Sequence, residues 1–269
     1  MDIGPGNGLT ILGGALLSKD LLIKLLGPTA EYLGRELRNY TEKGAENLRR
    51  IFGHAIKTLG VKLENPGQVP AKVLKGILAE GFYCEDELTA QYFGGVMASS
   101  RSGVSRDDRG ASFTALIGRL STYQIRTHFI FYSIFKILCN GRKEDLNFRE
   151  NLLKFRIFIP SPSYIKAIDL QEGEDLNVLM PHILDGLCRE TLLCPTWAMG
   201  DPKPITRLLK IPVESPGIAF IPAPVGLELY LWAHGLSTVP VGNFLSADFH
   251  PMQLEGIQLP EDSKFIYIA

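Results

Sequence analysis

A mostly α-helical chain, with a helical N-terminal half (1–140) and a smaller α+β part (141–269), is the fold class this 269-residue sequence predicts. Three observations carry that reading. Apolar residues recur at three- and four-residue steps through most of the first half, the spacing of a helix with one buried face. Short β-rich runs punctuated by Pro and Gly appear only from Arg156 onward. Composition is ordinary for a globular protein, 45% hydrophobic and 21% charged, which excludes collagen-like, low-complexity and highly charged disordered classes.

The elements follow in order. Leu9–Leu17 is apolar, but Lys19, Asp20 and Lys24 interrupt it before Leu26, and spanning a bilayer takes about 20 predominantly apolar residues. The expectation is a buried or dimer-forming N-terminal helix, with a membrane-docking interfacial helix over 9–26 as the alternative. From Pro28, the residues Leu33, Leu37, Tyr40, Leu48, Ile51, Phe52, Ala55, Ile56 and Leu59 make one long amphipathic helix. It stops at Gly60, because the left-handed residue after a last turn is least strained as glycine. A turn-rich Glu64–Pro70 connector leads to a helix with Val73, Leu74, Ile77 and Leu78 on one face, since proline suits a first turn. Acids at 85–87 favour a helix start, and Leu88, Tyr92, Phe93, Val96 and Met97 supply its stripe. A polar loop at 101–110 precedes a helix through Phe113, Leu116, Ile117 and Leu120, and Ser121-Thr122 caps a last helix carrying Ile125 to Leu138.

The second half changes character. Arg156–Ile159 reads as a strand stopped by a double-proline turn at Pro160 and Pro162. Asp175 to Leu193 reads as a helix, and two β-rich runs around Pro216-Gly217 read as a hairpin near 208–222. A helix over Pro224–His234 and a strand at Lys264–Ile268 finish the chain. Helix, helix, hairpin is the order of a winged helix-turn-helix. Its predicted recognition helix carries Asp175, Asp185 and Glu190 against Arg189, the wrong sign for a major groove. A packing or dimerisation module fits better than a DNA reader.

Charge is distributed unevenly beneath a net of -1. Residues 1–100 hold 11 basic and 11 acidic side chains, 101–156 hold 11 and 5, and 157–269 hold 6 and 13. The total excludes a generally basic, phosphate-seeking surface. The middle segment still offers an anion-binding candidate: Arg101, Arg106 and Arg109 around Gly103 and Gly110, with Arg119 and Arg126, could place guanidinium forks and free N–H groups on phosphate. The competing expectation is that Asp107 and Asp108 pair with Arg106 and Arg109 as a solvated network. Cys84, Cys139, Cys188 and Cys194 form no C-x-x-C pair, so neither a zinc site nor a redox motif is expected, and no cofactor is implied. Met1–Gly8 lacks a basic n-region, and the expected setting is reducing and cytoplasmic. Nucleotide-binding glycine loops, H-E-x-x-H and G-x-S-x-G are absent from the sequence.

The stretches Leu25-Leu26-Gly27-Pro28-Thr29-Ala30-Glu31-Tyr32-Leu33-Gly34, Glu87 to Ser100, and Ser112-Phe113-Thr114-Ala115-Leu116-Ile117-Gly118-Arg119-Leu120-Ser121 resemble the Abi-alpha family, the abortive-infection alpha proteins of bacteria. The similarity covers about 25–140, with looser likeness at Ile183–Leu187 and Pro224–Leu227. The resemblance implies antiviral defence by abortive infection and specifies no reaction. The tail after Leu236 departs from it.

Three function classes are therefore expected. The leading one is a non-enzymatic effector or sensor working through a protein partner, a homo-oligomer, or nucleic acid at the 101–126 segment. A second is a ribonuclease toxin, because Arg49 and His54 have the Arg-x4-His spacing of the HEPN ribonucleases, where imidazole serves as acid or base and guanidinium holds phosphate. Against it, those sites carry a small polar residue after the Arg, where this chain has Arg50. The third is a membrane-acting effector using 9–26.

Overall fold

The computed structural model describes residues 19–27, 42–104 and 106–268. Those residues fall into two compact units, one within 1–119 together with Trp232–Thr238, the other Leu120–Leu231 with Val239–Ala269. The second unit begins at Leu120, and the helix that starts at Thr122 lies in it. The expected helical turns at 9–18 and 28–41, and with them part of the Abi-alpha-like stretch, lie outside the described residues.

The first unit is all helical: α1 Lys19–Leu26, α2 Glu42–Leu59, α3 Ala71–Gly81, α4 Glu87–Ser100 and α5 Gly110–Arg119, with a 3-10 turn at Gly60–Glu64. Gly60 does take a positive φ of 50° where α2 ends. α3 starts directly after Pro70. At α4, Asp86 accepts from the Thr89 amide at 2.8 Å, satisfying one of the orphan N–H groups of a helix start. α4 is the centre of this unit: Leu88, Tyr92, Phe93, Val96, Met97 and Ala98 are all buried, and α2, α3 and α5 pack on it. Gly95 permits a close approach, since a Cβ there would collide with the Ala233 carbonyl. Leu22, Leu25 and Leu26 of α1 are fully buried, while Lys24 reaches out to Glu64 at 2.7 Å. The described part of the 9–26 segment thus turns Leu22, Leu25 and Leu26 to a protein core. Among the described residues no helix is long and apolar enough to cross a membrane.

The second unit is built on α6 Thr122–Cys139, started by a capping box in which Ser121 and Gln124 bond each other's backbone. After the short α7 Arg149–Leu152 come β1 Phe155–Pro160, α8 Ser161–Ile168, α9 Leu176–Arg189, β2 Ala198–Gly200, α10 Pro202–Leu209, β3 Gly217–Phe220, α11 Pro224–Ala233, whose last two residues are counted with the first unit, and β4 Lys264–Tyr267. The four strands form one antiparallel sheet in the order β2-β3-β1-β4, with Ile157 opposite Phe220 and Phe265. One face carries the α10 cluster of Phe158, Ala198, Ile205, Leu209 and Ala219. The other meets α6, where Phe131 stacks on Phe220 at 3.9 Å and Phe135 sits edge-on to Phe155 at 5.3 Å.

Two expectations are corrected. Residues 208–222 are not a hairpin: Leu208 and Leu209 close α10, and β3 pairs with β1 and β2 instead. Pro202 and Pro204 in a first turn, with Ile205 and Leu209 buried four residues apart, select helix over strand. The double proline after β1 is likewise not a terminating turn. Pro160 caps α8 and Pro162 sits in its first turn, where a missing N–H costs nothing.

Candidate functional site

The predicted anion-binding arginines have specific, mostly internal destinations. Arg101 donates from Nε to the Lys24 carbonyl at 3.1 Å, from Nη1 to Lys62 at 3.2 Å, and from Nη2 to Leu63 at 3.1 Å and Asn65 at 2.5 Å. It ties α1 to the turn after α2, and burial pushes its guanidinium below its ordinary pKa. Arg109 grips Asp107 with both ends of its fork, at 2.8 and 2.9 Å, and its guanidinium lies 5.3 Å over Trp232. The same fork holds the Asp107 carboxyl below the usual range. Asp108 pairs with Lys72 at 3.1 Å. Arg106 is exposed on the loop, and Arg119 ends α5. Arg126, in the second unit, donates to the Ala167 and Gly256 carbonyls at 3.0 and 2.7 Å. Arg101, Arg109 and Arg126 thus have acceptors within their own units.

His54 belongs to a different cluster from the one its spacing suggested. Its Nε2 lies 2.8 Å from Glu87 Oε1, and Arg50 reaches the same carboxylate at 3.6 Å. Arg50 also donates to Asn47 Oδ1 and to the Cys84 and Glu85 carbonyls. Residues four apart share a helix face, whereas Arg49 lies five positions back, about 140° around α2. Burial is the largest influence on the imidazole and lowers its proton affinity despite Glu87.

The second unit holds a site that sequence reasoning missed. A cavity of about 340 Å³ opens between the 191–195 loop, the 222–225 turn and α7. Its floor is Leu152, Leu193, Pro222 and Ala223, all buried. Arg149, Leu153, Thr191, Pro195 and Pro224 stand around the exposed rim. Cys188 and Cys194 complete the wall. Both thiols are free, and the Cys188 S–H donates to the Cys194 carbonyl at 3.5 Å.

Buried polar side chains of α6 fix these walls. Tyr132 Oη donates to the Leu192 carbonyl at 2.6 Å and accepts from the Ala223 amide at 2.9 Å, joining the two loops that line the cavity. A bridge between Leu193 and Pro222 and the Cys194 amide bonding the Ile221 carbonyl at 3.1 Å reinforce the junction. One turn earlier, His128 Nε2 meets the Gly226 carbonyl at 3.0 Å, so that nitrogen carries the proton. Thr191 holds the corner with φ 57°, a left-handed geometry uncommon for a β-branched residue. The Leu192 amide then returns to the Leu187 carbonyl at 2.8 Å, closing α9.

Desolvation raises the Cys188 thiol to about 11, so it stays protonated near neutrality and acts as soft apolar wall rather than nucleophile. Only one sequence signal bore on the pocket, the close spacing of Cys188 and Cys194; the rest of the wall comes from α7, the 191–195 loop and the 222–225 turn, which only the fold brings together.

Among the described residues no group of three His, Cys, Asp or Glu could hold a metal ion. No protein-family model, curated protein or solved structure matches the chain.

Proposed function

We propose that this chain is a bacterial antiviral protein of the abortive-infection type, acting by contact as a sensor or effector, with a winged-helix-like second unit. The family resemblance of residues 25–140 supports the defence role. One observation supports the contact role: the order α6, α7, β1, α8, α9, β2, α10, β3, with strands arranged β2-β3-β1, resembles a helix-turn-helix followed by an interrupted antiparallel pair. Its wing is widened by α10. α9 turns Asn177, Val178, Pro181, His182, Asp185 and Arg189 to solvent. That surface is charge-balanced and partly apolar, which suits a protein partner or second copy better than a phosphate backbone.

The test is phage plaquing on cells carrying the gene with its neighbours, with and without an intact copy. Protection that disappears with Val178→Asp, while the purified variant melts as the parent does, supports the reading. Equal plaquing with and without the gene overturns it.

A second reading, an RNA-cleaving toxin, draws on the His54–Glu87 contact with Arg50 beside it, an acid/base group and a phosphate ligand on one helix face. It requires that His54→Ala abolish both RNA cleavage and toxicity. Toxicity that survives this substitution removes it.

A further inference from the structure

The cavity of the second unit is built like a ligand site whose occupant can be read from its walls. Its floor is apolar, and its two main loops are already joined by Tyr132. A pocket shaped before binding loses little ordering entropy when a ligand enters. Small-molecule sites combine such a surface with a few placed polar groups. Here the one charged group on the wall is Arg149, exposed at the rim, and its guanidinium has no acidic partner among the described residues. The rim hydroxyl, Thr191 Oγ1, is already committed to the Glu190 carbonyl at 2.7 Å.

We propose that this pocket binds a small amphipathic monocarboxylate, with its apolar tail on Leu152, Leu193, Pro222 and Ala223 and its head on the Arg149 fork. A lone guanidinium matches a planar carboxylate in two parallel N–H···O bonds. A phosphate group would present more oxygens than this rim has donors to meet. The 340 Å³ of space holds on the order of ten non-hydrogen atoms at the volume a water molecule takes in the liquid, the size of a medium-chain fatty acid. The protonated Cys188 forms no bond to the ligand and lies beneath the tail, where it reports occupancy. This assignment is independent of the defence role.

The experiment is calorimetric titration of the full chain with octanoate and with 1-octanol, which keeps the tail and lacks the charge. In parallel, mass spectrometry follows iodoacetamide labelling of Cys188 and Cys194 at alkaline pH. The expected results are heat of binding for octanoate, slower labelling of both thiols in its presence, and about tenfold weaker octanoate binding in Arg149→Gln with octanol unchanged, the value of one charged hydrogen-bonded contact. Val225→Trp, which fills the mouth, should abolish binding of both, and Leu153→Trp repeats that test from the opposite rim should the first variant unfold. Absence of both heat and thiol protection overturns the proposal. So does Arg149→Gln binding octanoate as tightly as the parent.

Discussion

The two units solve the same packing problem with opposite materials. In the first, helices approach closely because α4 carries small residues where neighbours press, and the charged groups that matter lie toward the surface, as in the Arg101 and Arg109 networks. In the second, α6 is buried on nearly every side and carries Thr127, His128, Tyr132, Ser133 and Lys136 inside. Each of these has a partner: Thr127 meets Tyr164 at 2.7 Å, Ser133 meets Tyr230 at 2.8 Å, and Lys136 donates to the carbonyls of Phe244, Leu245 and Ala247 at 3.1, 3.3 and 2.7 Å. A core braced by hydrogen bonds can span a gap, and the pocket lined by Leu152, Leu193 and Ala223 lies in the braced unit.

Lys136 offers the sharpest way to break that contrast. Its ammonium also lies 4.4 Å from the centre of the Phe249 ring, a favourable site for a desolvated cation. Lys136→Met keeps the stem but removes three charge-assisted donations, although the Leu245 and Ala247 carbonyls keep the Gly141 and Phe249 amides at 2.9 and 3.1 Å. The expected loss is roughly 3–4 kcal/mol in urea unfolding, with hydrogen exchange accelerated in the 241–249 segment. Gly95→Ala is the matching test in the first unit. One methyl driven against the Ala233 carbonyl is expected to cost about 2–3 kcal/mol, the usual price of overpacking a tight core. If the two losses are reversed in size, the contrast between bracing and close packing is misplaced.

A smaller effect separates the units by pH. Burial lowers the His54 proton affinity below the ordinary imidazole value of 6.5. The unfolded chain then binds the proton more readily than the folded one, so stability from this residue is present above that value and is lost as pH falls through it. The melting temperature should drop on acidification from about pH 7 to about pH 5, and less steeply in His54→Gln. Parallel slopes in the two proteins would mean that His54 is solvated like a surface imidazole.

Much of the helical architecture was legible because each start had a local chemical cause. Asp86, Ser121 and Asp175 cap α4, α6 and α9 where the sequence offers short acceptors before apolar stripes. β1 and β4 were readable from alternating and aromatic runs. α10 was not, because Leu208 to Val213 is apolar and β-branched enough to read as a strand, and the Pro-Lys-Pro helix start lies upstream. Burial of α6 was visible as an unbroken apolar run, yet Tyr132 and Lys136 gave no sign that their partners lay 60 to 111 residues away. Charge counting along 101–156 does not place these side chains, for the same reason. Linear density of arginine does not reveal that Arg101 and Arg126 are drawn to carbonyls far along the chain.

The claim that polar bracing on α6 fixes the pocket is tested most directly at one amide. Ala223 N–H donates to Tyr132 Oη inside the second unit. Native-state hydrogen exchange should find this amide protected close to the global unfolding limit in the parent protein, and exposed by local opening in Tyr132→Phe. Equal protection in the two proteins would contradict the account, because the cavity walls would then keep their places without the hydroxyl that joins them.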